Sequence, residues 1–395
     1  MLEANRMKRL PLYLFTIMDD LKAKAIAKGV DVIDLGMGNP DLPSPPHAVE
    51  ALRKAALDPD NHGYSRPHGE VEKRLRKAIA DWYMQRFNVQ LDPSTEVLPL
   101  LGSKEGIAHL ALAFLNSDDF GLVPNPTYPP HANSIIMAGG QLHNLPIGPD
   151  NNYKPDFKAI SPEVVKRSKI FHVSYPHNPT AACVDFDFYK ELVQWGRGKD
   201  LILCSDLAYS DIVFDGYKAP SMLQVKGAKD GNCIEFHTVS KSYNMAGWRI
   251  GWAVGNSEIL RSLAKTKSYI DFGLFRAVQE AAIAALSGPQ DYVKNLVETY
   301  RKRVEFFVGG LNGIGWKVEK PKATFYIWTR LPAKFSGMTS LQFAQLLVDE
   351  AGVVVAPGTG FGEYGEGYVR FALVQSEERL KVALERIKKV LAISS

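Results

Sequence analysis

Between residues 96 and 254 this 395-residue chain repeats one pattern, in which a short apolar run ends in polar or small residues and a stretch of helical periodicity follows. Such alternation specifies a mostly parallel β-sheet. The runs are Glu96 to Leu101, ending at Gly102-Ser103-Lys104-Glu105-Gly106 with a helix expected over Ile107 to Leu115; Gly121 to Val123, ending at Pro124-Asn125-Pro126-Thr127-Tyr128; Ile170 to Ser174, ending at Asn178-Pro179-Thr180; Leu201 to Cys204, ending at Ser205-Asp206; and Ile234 to Thr238, ending at Lys241. Arg249 to Val254 reads as a further strand. In open α/β sheets ligands bind outside the carboxyl ends of the strands, so five ends with distinctive side chains point to one shared site.

After about residue 285 the texture changes to a long charged helical stretch (Val293 to Leu311), a strand over Thr324 to Thr329, a helix near Leu341 to Glu350 and a final helix from Glu377. A smaller α+β domain beside a large α/β domain suits a chain of this length. Net charge is only +4. The basic clusters Arg74-Leu75-Arg76-Lys77 and Arg301-Lys302-Arg303 fall in helical patterns and read as solvated faces, which argues against a nucleic-acid stripe. Cys183, Cys204 and Cys233 are odd in number and widely spaced, two of them in strand-like runs, which suits free thiols and a reducing cytoplasm. No 18-residue apolar run and no apolar leader core is visible. Histidines lack metal-ligand spacing, no Gly-x-Ser-x-Gly elbow occurs, and the glycine-rich Pro357 to Gly362 lies between two strands, so it is no dinucleotide fingerprint.

The chemistry centres on Thr238-Val239-Ser240-Lys241-Ser242-Tyr243-Asn244-Met245-Ala246-Gly247-Trp248-Arg249. A lysine presented at a strand end in a water-poor pocket can form an imine with an aldehyde cofactor, and hydroxyls with an arginine beside it suit a phosphate. The segment resembles the pyridoxal-phosphate lysine motif of fold-type I aminotransferases, in which an arginine follows the lysine by eight residues. On that reading Asp206 pairs with a protonated pyridine nitrogen, Tyr209 and Asn178 hydrogen-bond the ring's phenolic oxygen, and Tyr128 stacks on the ring. Ser103, Lys104, Thr238, Ser240 and Arg249 supply phosphate donors. Arg370, unexpected in the strand-like Tyr368 to Leu373, would clamp a substrate α-carboxylate. Each has a plainer alternative: a solvated loop lysine, helix caps for Asp206 and Ser103, a core aromatic for Tyr128, a solvent-facing arginine for Arg370.

The likeness spans nearly the whole chain, from Leu35-Gly36-Met37-Gly38-Asn39-Pro40-Asp41 through Gly63-Tyr64-Ser65 to Arg370, and is strongest to the alanine (glutamate–pyruvate) transaminases related to LL-diaminopimelate aminotransferases. It implies a fold-type I pyridoxal-phosphate-dependent transferase with a mostly parallel seven-stranded sheet in a large domain, residues 47–285, and a small domain of residues 1–46 plus 286–395. It also implies a homodimer in which Tyr64 reaches the neighbouring subunit's cofactor phosphate, with Gly38 and Tyr13 near the substrate. Departures are few: Thr238 stands where serine is frequent, and His177 precedes Asn178.

The expected reaction is ping-pong transamination on Lys241, with alanine and a 2-oxo acid (2-oxoglutarate or pyruvate) as leading substrates. LL-diaminopimelate, aspartate or methionine are alternative donors, and Arg276 is a candidate second carboxylate binder. A C–S lyase on the same fold and a non-catalytic cofactor-sensing module are the rival functions.

Overall fold

The computed structural model describes residues 2–11 and 14–393. Its centre is a seven-stranded sheet: β1 Val97–Leu100, β2 Phe120–Asn125, β3 Gln141–Pro146, β4 Ser168–Ser174, β5 Ile202–Asp206, β6 Cys233–Thr238 and β7 Gly251–Gly255. The spatial order is β1-β7-β6-β5-β4-β2-β3, and all pairings are parallel except those of β7, which runs antiparallel to both β1 and β6. Strands covered on both faces read as unbroken apolar runs. Alternate residues of β4 accordingly serve different cores: Ile170 packs with Leu100, Ile107, Ile202 and Phe236, while Phe171 packs with Leu75, Tyr83, Leu203 and Trp252.

A second antiparallel sheet has the order β9-β10-β8, with β8 Tyr326–Arg330, β9 Ala356–Pro357 and β10 Tyr368–Ala372. Helices Asp291–Gly313, Ser340–Ala351 and Glu377–Ile393 contribute Phe307, Phe343 and Ile387 to its core. The helix Ser340–Ala351 starts at a Thr339/Gln342 capping box and stops at left-handed Gly352, so its ends are set locally. Residues Ile33–Asp34 pair in parallel with Val353–Val354, bringing the N-terminal segment onto this second unit. Among the described residues no helix is long and apolar enough to cross a membrane.

Three sequence expectations need correction. Arg249 lies outside the strand expected over Arg249 to Val254: it is left-handed (φ 55°) and β7 begins at Gly251. The basic clusters are not wholly solvated. Arg76 and Arg303 are buried, 6% and 4% exposed, because each turns inward to a carboxylate, Arg76 to Glu72 at 2.7 Å and Arg303 to Asp41 through two 2.8 Å bonds. Strand β3 was not anticipated, since its half-exposed sequence Gln-Leu-His-Asn-Leu-Pro at the sheet edge lacks an apolar run.

Candidate active site

The polar ends of β1, β2, β4, β5 and β6 open on one cavity of about 430 Å³. Its lining includes Gly38, Ser103, Lys104, Tyr128, Asn178, Asp206, Tyr209, Thr238, Ser240, Lys241, Arg249 and Arg370, twelve residues that the sequence singled out. Tyr64 and Arg276 do not line it. Tyr64 is 83% exposed with its ring edge-on to Phe272, and Arg276 donates to the carbonyls of Asp60 and Tyr64. Tyr13 lies outside the described residues.

Lys241 sits not on the strand itself but on the one-turn helix Val239–Ser242 that follows β6. Thr238 caps that turn by accepting from the Ser240 amide at 3.1 Å, and its hydroxyl donates to the Ile250 carbonyl at 2.8 Å. The turn therefore aims the lysine across the strand ends, where Nζ donates to the Gly38 carbonyl at 2.8 Å. Burial, then the positive fields of Arg370 and Arg249, pull the Lys241 ammonium down to about 8 against the opposing pull of Asp206. An amine so tuned reaches its nucleophilic form near neutrality.

At one end of the cavity the start of the helix Ser103–Phe114, whose first backbone N–H groups have no partner within the helix, lines the wall together with Arg249. Gly102 has φ +83° and a Cβ there would stand 2.5 Å from Arg249 Nη2, so only glycine leaves this cradle open. Arg249 is held by the carbonyls of Ala246 at 2.8 Å and Leu101 at 3.3 Å. Helix N-terminus, Lys104, the Ser103 and Ser240 hydroxyls and a guanidinium form a donor set suited to a dianionic phosphate.

On the cavity floor Asp206 accepts from His131 Nε2 at 3.1 Å. That acceptor places the imidazole proton on Nε2 and leaves Nδ1 to accept from Thr127 Oγ1 at 3.1 Å. His131, fully buried and stacked on His172 at 5.2 Å, escaped the sequence reading, although it stands three residues beyond Tyr128, on the first turn of the helix Pro129–Met137. Buried Asp206 is thus kept as an oriented acceptor, suited to a protonated ring nitrogen. His177, one of the two sequence departures, is held near 3 by burial and by His131, and its Nδ1 meets Thr180 Oγ1 at 2.8 Å, fixing the turn that carries Asn178.

At the opposite end Arg370 is 2% exposed, not solvent-facing. Its guanidinium donates to Asn178 Oδ1 and to the Gly36 carbonyl, both at 2.7 Å, and lies over the rings of Tyr326 (4.1 Å) and Phe361 (4.6 Å). Tyr326, Phe361 and Met37 complete this end and were not singled out from sequence. Tyr326 could have been found, because it lies in the expected strand Thr324 to Thr329, and β8 pairs directly with the strand of Arg370.

A cavity that joins a depressed lysine, an anion cradle, a buried carboxylate and a buried arginine can be compared with known proteins. The family described as aminotransferase class I and II matches residues 30–387. The chain belongs to that family. It is 47% identical to an LL-diaminopimelate aminotransferase of Moorella thermoacetica, over 99% of both chains. It is 46% identical to the glutamate-pyruvate aminotransferase AlaC of Escherichia coli, over 97% of this chain and 92% of that one. Among solved structures, substrate-bound BacF from Bacillus subtilis superposes with a TM-score of 0.93 at 38% identity, covering 99% of this chain and 98% of that one. This aminotransferase is accordingly a fold-type I, pyridoxal-phosphate-dependent enzyme of amino-acid metabolism.

Proposed function

We propose that the enzyme transfers the amino group of a small L-amino acid, alanine foremost, to a 2-oxo acid in two half-reactions that share one site. The observation that carries this reading is the make-up of the carboxylate end. Arg370 is the buried cation there, and its described neighbours Met37, Tyr326 and Phe361 offer apolar and aromatic surface to a short side chain. LL-diaminopimelate is the second reading, favoured by the likeness to the Moorella enzyme. Its distant ammonium and carboxylate would need polar partners, which Met37 and Phe361 do not provide.

In this reading Ser103, Lys104, Thr238, Ser240 and Arg249 would hold the cofactor phosphate, Tyr128 would pack on its ring, Asp206 would keep its ring nitrogen protonated, and Asn178 and Tyr209 would bond its phenolic oxygen. Bound there, pyridoxal phosphate supplies an electron sink for the pair released when the substrate's α-proton leaves. Lys241 would hold the cofactor, and its neutral amine would take the substrate's α-proton as general base and return it as general acid. Arg370 orients the α-carboxylate in both half-reactions through its bidentate fork.

A homodimer is part of the proposal. Tyr64, Tyr269, Ile270, Phe272 and Phe275 are exposed large hydrophobic residues, more than isolated surface positions require. Tyr64 stands among them, edge-on to Phe272, and in this reading it serves the neighbour's phosphate rather than its own. Residues 47–285 as a large domain, 1–46 with 286–395 as a small one, and a cytoplasmic location for the three free cysteines complete the reading. Absorption spectra settle the substrate: alanine, glutamate and LL-diaminopimelate are added singly, without 2-oxo acid, and loss of the lysine-linked cofactor's visible band is timed. Alanine should be fastest. LL-diaminopimelate outpacing it would overturn the preference, and no band change with any amino acid would remove transamination through Lys241.

A further inference from the structure

Tyr326 stands at the one point where three parts of the site meet. Its hydroxyl lies 2.7 Å from the Tyr209 hydroxyl, with both groups buried. Its ring lies beneath the Arg370 guanidinium at 4.1 Å. Its phenol also closes against Gly38, where a Cβ would come within 2.0 Å of the hydroxyl oxygen. The residue is fixed from outside the site as well: β8 is paired with β10 in the register Tyr326 to Ala372, the Tyr326 amide donates to Thr324 Oγ1 at 3.0 Å, and the ring packs on Phe325 and Tyr209. Such support leaves the hydroxyl little freedom to turn away.

Each phenol has a single proton, so the pair forms a directed chain. Tyr209 stays protonated, because burial and then the neighbouring Tyr326 push its phenol well above the usual range. A Tyr209 that spends its proton on an outside acceptor can only accept at its own oxygen, and the donor available at 2.7 Å is the Tyr326 hydroxyl. Donation into an oxygen strengthens donation out of the same hydroxyl, the more so where water is excluded.

We propose that Tyr326 is a positioning residue that acts through Tyr209: by donating to the Tyr209 oxygen it strengthens the Tyr209 bond to the cofactor's phenolate oxygen, and by carrying Arg370 on its ring it links that bond to occupancy of the carboxylate clamp. The inference rests on the proposed role of Tyr209 toward the cofactor. A stronger bond to the phenolate lowers the proton affinity of the imine conjugated with it, so loss of the Tyr326 hydroxyl raises the pH at which the holoenzyme's visible band titrates. Because phenylalanine keeps the ring under Arg370, the carboxylate clamp is left in place by that change.

The test is a spectroscopic pH titration of the holoenzyme and of Tyr326→Phe, Tyr209→Phe and the double variant, each reconstituted with pyridoxal phosphate. Tyr326→Phe should shift the midpoint upward by roughly half a pH unit, a fraction of one neutral hydrogen bond. Tyr209→Phe should shift it further, and the double variant no further than Tyr209→Phe alone. A shift with Tyr209→Phe but none with Tyr326→Phe would overturn the inference and leave the Tyr209 assignment standing. No shift with Tyr209→Phe overturns both. Additive shifts in the double variant would show that Tyr326 acts by another route and would equally overturn it.

Discussion

The two ends of the cavity are built in different ways. The phosphate end comes from short stretches of chain, residues 102–104 at a helix start and residues 238–249 around one turn, so its donors keep fixed spacing whatever the rest of the molecule does. The Arg370 end joins Gly36 and Gly38 from the N-terminal segment, Asn178 from the loop after β4, Tyr326 and Arg370 from the second sheet, and Phe361 from the 3-10 turn Gly358–Phe361 between β9 and β10. Asn178 and Gly36 meet Arg370 across 192 and 334 residues of sequence. What holds that end is tertiary: the Arg303–Asp41 fork ties the N-terminal segment to the long helix Asp291–Gly313, and Ser44 Oγ donates to the Asn244 carbonyl at 2.9 Å. The two ends are therefore built separately, and they meet at Lys241, which touches Gly38, at Asn178, which accepts from Arg370, and at the Tyr209–Tyr326 pair.

Substitutions at the junction should affect both ends, and substitutions at either end only one. Lys241→Ala removes the nucleophile and the proton shuttle together. Turnover should fall by roughly 10⁴-fold or more while pyridoxal phosphate still binds, and near-parental turnover would remove Lys241 from the chemistry. Arg370→Lys keeps a charge but loses the fork and the stacking on two rings, so kcat/KM should drop by about 10²-fold to 10³-fold with cofactor affinity unchanged by equilibrium dialysis. The converse is expected of Arg249→Lys, with cofactor affinity weakened by about tenfold and, at saturating cofactor, substrate KM near the parent value. If either arginine variant altered both quantities equally, the separation would be wrong.

The pH dependence of Lys241 gives a smaller effect with a definite sign. Its ammonium loses a proton near 8, and only the neutral amine attacks an aldehyde, so capture of pyridoxal phosphate by the apoenzyme should rise about tenfold per pH unit below 8 and level off above it. Stopped-flow absorbance across pH 6 to 9 reads this directly. A midpoint near the ordinary lysine value of 10.5 would mean that burial and the two arginines do not act on the amine as the geometry requires.

Legibility from sequence follows the same divide. Lys241, Ser103 and Asp206 could be brought to one cavity from sequence because polar residues after apolar runs mark strand ends, and parallel strand ends converge, whereas Arg249 was singled out by its spacing from Lys241. Arg370 was identifiable only as an anomaly, an arginine in an apolar run, and its burial beside Asn178 depends on β10 facing the large sheet. His131 gave a weak signal, since a histidine on a short helix reads equally well as core. The buried state of Arg76 and Arg303 gave none, for helical periodicity places residues on faces but does not say which face another segment will cover.

The order of apolar runs and helical stretches, a local property of the chain, was enough for six of the seven strands of the large sheet and for the polar residues that follow them, because hydrogen bonding and periodicity act over a few residues. The carboxylate clamp, the His131–Asp206 bond and the Tyr209–Tyr326 pair came from the docking of distant segments. Those contacts are selected by burial and by the need to satisfy polar groups removed from water, and neither condition exists until the two sheets and the N-terminal segment have closed around them.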